Sequence, residues 1–421
     1  MQEQGSMPGQ TTPVISPSVS SPAQDIQRDY AYYKAVFAGQ PMPFAYLDLD
    51  LLARNIGDIL KRAQGKKIRL ASKSLRSVWV LRHLLAAAPT FQGIMSFSAR
   101  EAAYLASQGF DDLLIGYPCW HEEDIAAIAR PTANGKTITL MIDSIEHVAQ
   151  LEKVAQRFDV RLPLCLDIDM ALQVPGLHFG TWRSPVKTPS SARRIIERIL
   201  ASKYVYLDGL MGYEAQIAGV GDNVPGQAAK NALIQQLKRR SVKEVAERRL
   251  ALVELIRSYG ISLRFVNGGG TGSLSSTSQE EVVTEITVGS GFYSPTLFDL
   301  YREFRYQSAA GYAIEIVRRA APHIYTCLGG GYIASGSAGK EKLPQPYLPE
   351  GAKLDPLEGA GEVQTPIHYH GPISLHLGDP IFMRHSKAGE LCERFTHLLL
   401  VSNGAIVNKV PTYRGDGQCF I

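Results

Sequence analysis

A chain of 421 residues with 45% hydrophobic content can bury large cores, and its length calls for two or three domains unless one of them is a barrel. The 44 Lys and Arg against 40 Asp and Glu leave a net charge of +4, too small and too scattered to call for a nucleic-acid partner or an anionic membrane, while small anionic ligands stay open. Five cysteines without a CxxC (Cys119, Cys165, Cys327, Cys392, Cys419) imply neither a disulfide framework nor a cysteine-rich zinc module, and they fit a reducing cytoplasm.

Residues 1–25 come first, a stretch rich in Ser, Pro, Gln and Thr that holds almost nothing to offset the entropy of ordering; it reads as a disordered tail. It lacks the basic start and apolar core of a secretion signal, and no later apolar run reaches the length of a bilayer span. From about residue 45, short β-rich runs alternate with helical spacing. The strand candidates are 67–72, 93–97, 112–116, 139–143, 162–169, 207–212, 264–268 and 284–288. Helical patterns lie between them, such as Leu51, Leu52, Ile56, Ile59 and Leu60, then Ile145, Val148, Leu151 and Val154, then Val245, Leu250, Leu252, Val253 and Ile256. Such alternation predicts an α/β fold, a parallel (β/α)8 TIM-type barrel over residues 26–300, with an open doubly wound sheet as the competing architecture. Beyond residue 300 the pattern becomes hairpin-like: 312–317, 324–327, 373–383, and 398–410 broken by Ser402-Asn403-Gly404. Residues 301–421 therefore read as a C-terminal antiparallel β domain, and the Pro- and Gly-rich stretch 343–360 as a long loop.

Working residues of a (β/α)8 barrel project from the carboxyl ends of its strands, with phosphates often bound after strands seven and eight. Lys73 stands at the end of strand one, where a lysine either reaches solvent or forms a Schiff base with a carbonyl. After strand seven comes Asn267-Gly268-Gly269-Gly270-Thr271-Gly272-Ser273, and after strand eight Gly289-Ser290-Gly291. Either run alone is compatible with an ordinary turn; together they can bring backbone N–H groups and hydroxyls onto a phosphate. A lysine opposite a phosphate cradle suits pyridoxal 5'-phosphate (PLP) or a sugar-phosphate aldolase.

Phe44-Ala-Tyr-Leu-Asp-Leu-Asp-Leu-Leu-Ala-Arg-Asn55, Lys73, the Gly-Gly-Gly-Thr-Gly loop and the Gly-Ser-Gly-Phe-Tyr run, in that order, resemble the alanine-racemase-like, fold-type III PLP enzymes. The resemblance is closer to the D-threonine aldolase and D-serine dehydratase branch. It extends from about residue 40 to the end and implies a PLP barrel with a C-terminal β domain. By position, Lys73 would be the Schiff-base lysine; Gly269, Gly270, Thr271, Gly272, Gly289 and Ser290 would hold the phosphate; Tyr213 would lie near the cofactor, unless it is an ordinary buried tyrosine.

The departures are specific. The family's lysine is commonly followed by Thr-His-Lys, and here Ser74-Leu75-Arg76 follows. An Asp-x-Gly-x-x-Arg-x-Gly pattern on strand five is only partly kept, in Asp169-Met-Ala-Leu-Gln-Val-Pro-Gly176, so the partner of the pyridine nitrogen is unidentified. Where the family holds a divalent metal with His-x-Cys or His-x-Asp, this chain has His385-Ser386-Lys387, and a protonated lysine is no ligand. Either Cys392 or Glu390 joins His385 around a metal, or Lys387 takes the place of the metal's charge. His368 and His370, one residue apart, read as a solvated face. The resemblance implies a PLP-dependent enzyme on a small amino acid, a homodimer, and a D-amino acid lyase acting by β-elimination or retro-aldol cleavage with Lys73, Tyr213 and His385 at work. A racemase or a PLP carrier without turnover remains the alternative.

Overall fold

The computed structural model describes residues 27–333, 339–387 and 389–421, so the tail expected over residues 1–25 lies outside the described residues. All eight expected barrel strands form: Lys67–Ala71, Phe91–Ser96, Leu113–Pro118, Ile138–Ile142, Leu162–Ile168, Val205–Gly212, Phe265–Gly268 and Glu285–Val288. They close into one parallel barrel, the ring being completed by strand one lying against strand eight with Leu70 opposite Val288. Closure leaves no exposed strand edge, and the helices on the outside bury the apolar stripes that their sequences carry. In the helix Leu49–Ala63, Leu51, Leu52, Ile56 and Ile59 are buried, and Asp48 caps its start by accepting from the N–H of Asp50 and Leu51. In Ala228–Ser258, Val245, Leu252, Val253 and Ile256 face inward, but Leu250 is exposed, one step off the stripe.

The two ends of the barrel interior differ in chemistry. Near the strand starts, buried Arg69 bonds to Glu285 at 2.6 Å and to Asp112 at 3.1 Å, while Arg264 holds Asp208 at 2.6 Å. Removing one partner of the fully buried Arg69–Glu285 pair would leave an uncompensated charge, at a cost of about 3–5 kcal/mol. Above it Leu114, Met141, Cys165, Met211 and Phe265, from five successive strands, form an apolar plug against which Met95 and Tyr213 pack. That plug is the floor on which a ligand at the carboxyl ends would rest.

The second unit is a nine-stranded sheet. It contains Ala310–Ala321, Ile324–Leu328, Pro380–Arg384 and the hairpin His397–Ser402 with Ala405–Pro411. Asn403 and Gly404 at the hairpin turn both have positive φ, 49° and 79°, the conformation that Asn-Gly adopts with least strain. Three features differ from the sequence expectation. Phe44–Asp48 lies in this sheet, antiparallel to Ala310–Ala321 and parallel to His397–Ser402, so the sheet is mixed and draws a strand from ahead of the barrel. The run expected over 373–383 is a strand only from Pro380, because Gly378 at φ 87° and the Asp379 carboxylate, accepting from the His376 N–H at 3.0 Å, make a turn there. The loop 343–360 carries short strands, Gln345–Leu348 and Lys353–Leu354. Among the described residues no helix is long and apolar enough to cross a membrane.

Candidate active site

Strand one ends at Ala71, and the chain tightens into a single 3-10 turn, Ser72–Ser74. That turn is held from three sides. The Ser72 hydroxyl donates to the Met95 carbonyl at 2.9 Å, the Arg76 Nε donates to the Lys73 carbonyl at 2.8 Å, and a Cβ on Gly389 would come within 2.0 Å of that same carbonyl oxygen. The backbone of Lys73 is thus clamped between the barrel and the C-terminal unit. Its ammonium is exposed and makes no ion pair or hydrogen bond among the described residues.

The ammonium enters a cavity of about 150 Å³ at the carboxyl ends of the strands. Of the residues expected there, Lys73, Tyr213, Gly269, Gly270, Thr271, Gly289 and Ser290 all line it. Gly272 does not; it packs behind the wall, where a Cβ would meet the Ala218 carbonyl oxygen at 2.4 Å and the Tyr301 hydroxyl at 2.7 Å. A Cβ at Gly270 would stand 3.0 Å from that of Ala218 and one at Gly289 2.7 Å from that of Ala71, so neither wall has room for a side chain. The Tyr213 hydroxyl is pushed up to about 12, by burial first and by neighbouring Glu214 second, and stays a neutral donor.

One carboxylate organises the glycine loop, and sequence reasoning missed it. Buried Glu214 accepts from the Gly269 N–H at 3.2 Å, from the Ser273 hydroxyl at 3.0 Å, from the Thr277 hydroxyl, and from the Arg249 guanidinium at 3.0 Å. Arg249 is fully buried and also pairs with Glu280. The Ser273 Oγ in turn accepts from the Gly270 N–H at 3.1 Å, and Thr271 Oγ1 accepts from the Gly291 N–H at 3.0 Å, tying the two glycine-rich turns together.

Arg183 was also missed, and it too lines the cavity. Strand five is followed by a small hairpin, Leu172–Val174 with Leu177–Phe179, where the partly kept Asp-x-Gly-x-x-Arg-x-Gly pattern puts Val174 in its arginine position. The guanidinium arrives from beyond that hairpin. It donates to Asp167 at 2.7 Å and to the Gly116 carbonyl at 2.6 Å and lies over the Tyr117 ring. Burial pushes the Asp167 carboxyl up to about 7 against the pull of Arg183. The missing arginine of the motif was the signal to look for another nearby.

From the C-terminal unit the charged side chain of Lys387 lines the cavity. The segment carrying it is pinned to the barrel: the Thr296 N–H donates to the His385 carbonyl and the Leu297 N–H to the Ser386 carbonyl, both at 3.1 Å, and the Ser386 hydroxyl reaches the Glu341 carbonyl at 2.7 Å. Burial lowers the Lys387 ammonium, with Lys342 and Lys73 adding to the effect and Glu390 opposing it. His385 and Cys392 are buried and line no part of this cavity. Burial holds His385 neutral, its imidazole lowered to about 3, with neither ring nitrogen hydrogen-bonded. Burial pushes the Cys392 thiol up to about 12, against the opposing effects of Arg76 and the Tyr293 hydroxyl. Among the described residues no three His, Cys, Asp or Glu side chains gather as metal ligands would.

Comparison with known proteins gives a consistent picture. The family model for the alanine racemase N-terminal domain matches residues 47–295. A 3-hydroxy-D-aspartate aldolase of Paracoccus denitrificans (strain Pd 1222) is 27% identical over 251 residues, 59% of this chain and 59% of the relative, so the match spans little more than half of that protein's length. Among solved structures, D-threonine aldolase from Filomicrobium marinum superposes with a TM-score of 0.75 at 16% identity, over 89% of this chain and 95% of the other. D-threo-3-hydroxyaspartate dehydratase from Delftia sp. HT23 does so with a TM-score of 0.70 at 16% identity, over 91% and 99%. At these identities the structures speak for the fold.

Proposed function

The chain belongs to the alanine racemase N-terminal domain family, and on that premise we propose that it is a PLP-dependent lyase acting on a D-amino acid, by β-elimination or retro-aldol cleavage of a β-hydroxy substrate. The observation that carries this reading is the meeting of Lys73 with both glycine-rich turns on one cavity. PLP suits those walls, because the turns bare their backbone where a Cβ would collide, and Thr271 and Ser290 add hydroxyls beside it. When bound, PLP supplies an aldehyde for an amine and a ring that withdraws electrons from a bond at the substrate Cα.

The chain's own groups then have separable tasks. Lys73, clamped at its backbone and unpaired at its ammonium, would be the amine that holds PLP, and its nitrogen would stand within reach as a base, for the Cα proton in β-elimination or for the β-hydroxyl proton in retro-aldol cleavage. Arg183, aimed by Asp167 and the Gly116 carbonyl, offers its guanidinium to the substrate carboxylate. Tyr213 contributes a neutral hydroxyl to the wall. The names of the compared relatives all describe β-hydroxy D-amino acids, which supports that substrate class. We place the enzyme in the cytoplasm, to which its five free cysteines are suited, and take it to be a homodimer from the family resemblance alone.

Reduction with borohydride followed by peptide mapping tests the cofactor site: the label is expected on Lys73, and a labelled Lys73→Ala protein would refute the assignment. A panel of D- and L-amino acids in deuterated buffer tests the reaction. Exchange at Cα, or loss of the side chain, is expected in the D series alone. Accumulation of the mirror-image amino acid would make the enzyme a racemase, and PLP on Lys73 without any exchange would make the protein a carrier.

A further inference from the structure

We propose that Lys387 is a substrate-contacting residue, its ammonium binding the oxygen on Cβ where the resembled enzymes use a divalent metal; this rests on the cavity being the amino-acid site. Among the described residues three charged side chains line the cavity, Lys73, Arg183 and Lys387, and no carboxylate does. Arg183 is answered by Asp167 at 2.7 Å. Lys73 is committed to the aldehyde. Lys387, half-buried, makes no side-chain hydrogen bond or ion pair among the described residues. Glu390 is a charged neighbour that favours its ammonium, and with no side-chain hydrogen bond of its own Lys387 keeps its donors free for an electron-rich oxygen that a ligand brings into the cavity.

The surroundings fix where that oxygen must be. Lys387 is carried by a segment hydrogen-bonded to Thr296 and Leu297, just after the strand-eight turn, and Gly389 two residues on rests against the Lys73 carbonyl. The Lys387 side chain therefore starts from a rigid mount next to the reacting lysine, on the side away from the Arg183 contacts with strands three and five. A substrate whose carboxylate faces Arg183 presents its side chain toward Lys387. A divalent ion does not suit the same place: a protonated lysine lends no electron pair and repels a cation, and His385 lies outside the cavity lining.

The experiment uses the holoenzyme, the variants Lys387→Met, Lys387→Arg and Lys387→Asp, and elemental analysis of each. Wild-type protein is expected to hold no stoichiometric divalent metal and to keep its activity after exhaustive chelation. In Lys387→Met the ratio of D-serine turnover to Cα–H exchange of D-alanine, which has no β-oxygen, should fall about 10- to 100-fold, the range of a charged hydrogen bond. Lys387→Arg, which keeps the charge, should recover part of that ratio. Lys387→Asp, which reverses the charge beside the Cβ oxygen, should lower the ratio at least as far as Lys387→Met. Loss of wild-type activity on chelation with recovery on Mn²⁺, or an unchanged ratio in Lys387→Met, would overturn the proposal. Absence of a borohydride label on Lys73 in the wild type would instead defeat the underlying site.

Discussion

Replacing Glu214 with glutamine should separate the loop that holds the cofactor from the barrel that carries it. The carboxylate accepts from four donors: the Gly269 N–H, the Ser273 and Thr277 hydroxyls, and Arg249. An amide offers one acceptor oxygen, so two of the four donors meet an NH₂ group instead. Hydrogen bonds to charged groups contribute about 1.5–3 kcal/mol each, and hydroxyls can turn away, so a net loss of about 2–4 kcal/mol is expected. For a chain of 421 residues that is a fall in Tm of only a few degrees, roughly, because the unfolding entropy scales with length.

Cofactor affinity should fall much further than the melt suggests, because Gly269 and Ser273 are the two ends of the turn that bares Gly270 and Thr271 to the cavity. The control is Glu280→Gln. Glu280 pairs with the same Arg249, and its carboxylate bonds none of the loop donors. It should lower Tm comparably while leaving PLP affinity within about threefold, a shift under 1 kcal/mol. Spectroscopic titration of the apoprotein with PLP, beside calorimetric melts, reads both quantities. If Glu214→Gln binds PLP as the wild type does, or if Glu280→Gln loses as much affinity, the carboxylate is a packing feature and the reasoning fails.

Gly272→Ala and Gly270→Val should divide fold from function. The first forces a Cβ to 2.4 Å from a backbone carbonyl and should lower stability by about 1–3 kcal/mol, whereas the second intrudes on the cavity wall and should lower PLP affinity more than Tm; equal effects of both changes on affinity and melting would count against the division. The Glu101 carboxyl is raised to about 7, chiefly by burial, although the Phe97 N–H at 2.7 Å and the Tyr413 hydroxyl at 2.9 Å stabilise its ionised form. Because its folded value lies above the unfolded one, its contribution to stability is full at acid pH and is lost as pH rises from about 4.5 to 7. Glu101→Gln should therefore gain about 1–3 kcal/mol over wild type at pH 8 and nothing comparable at pH 5. Urea unfolding at the two pH values checks this, and a difference that ignores pH would show that Glu101 is not the titrating group.

The barrel was legible because its information is local. Each strand is a short apolar run ending in a turn, and each main helix shows its stripe within a few residues, so periodicity alone reaches the right element. The lysine and the glycine turns were legible for a related reason: strand ends of a closed parallel barrel share one face, which brings residues 73, 270 and 289 together once closure is granted. What stayed hidden depends on partners far apart in sequence. Glu214 sits beside Tyr213 in a motif that drew attention to the tyrosine, yet its loop partners lie 55 to 63 residues onward. Phe44–Asp48 is buried at every position, so it has no alternation to betray a strand, and both its neighbours come from beyond residue 309.

The lysine at the end of strand one shows why local pattern could not decide between solvent and site. Its side chain is in fact exposed, as a snorkelling lysine would be. The difference lies in the backbone beneath it. An idle surface lysine needs no three-sided clamp, whereas here Ser72, Arg76 and Gly389 hold the turn while the ammonium is left without a partner over an apolar floor. A rigid mount beneath an unpaired amine lets a reactive group be placed accurately and still exchange bonding partners. Two of those three constraints come from residues within four positions of Lys73, but the third comes from Gly389, in the unit that also delivers Lys387. The barrel thus presents the amine and the C-terminal unit sets its surroundings, so loosening the contact between the two units should damage chemistry before it damages either fold.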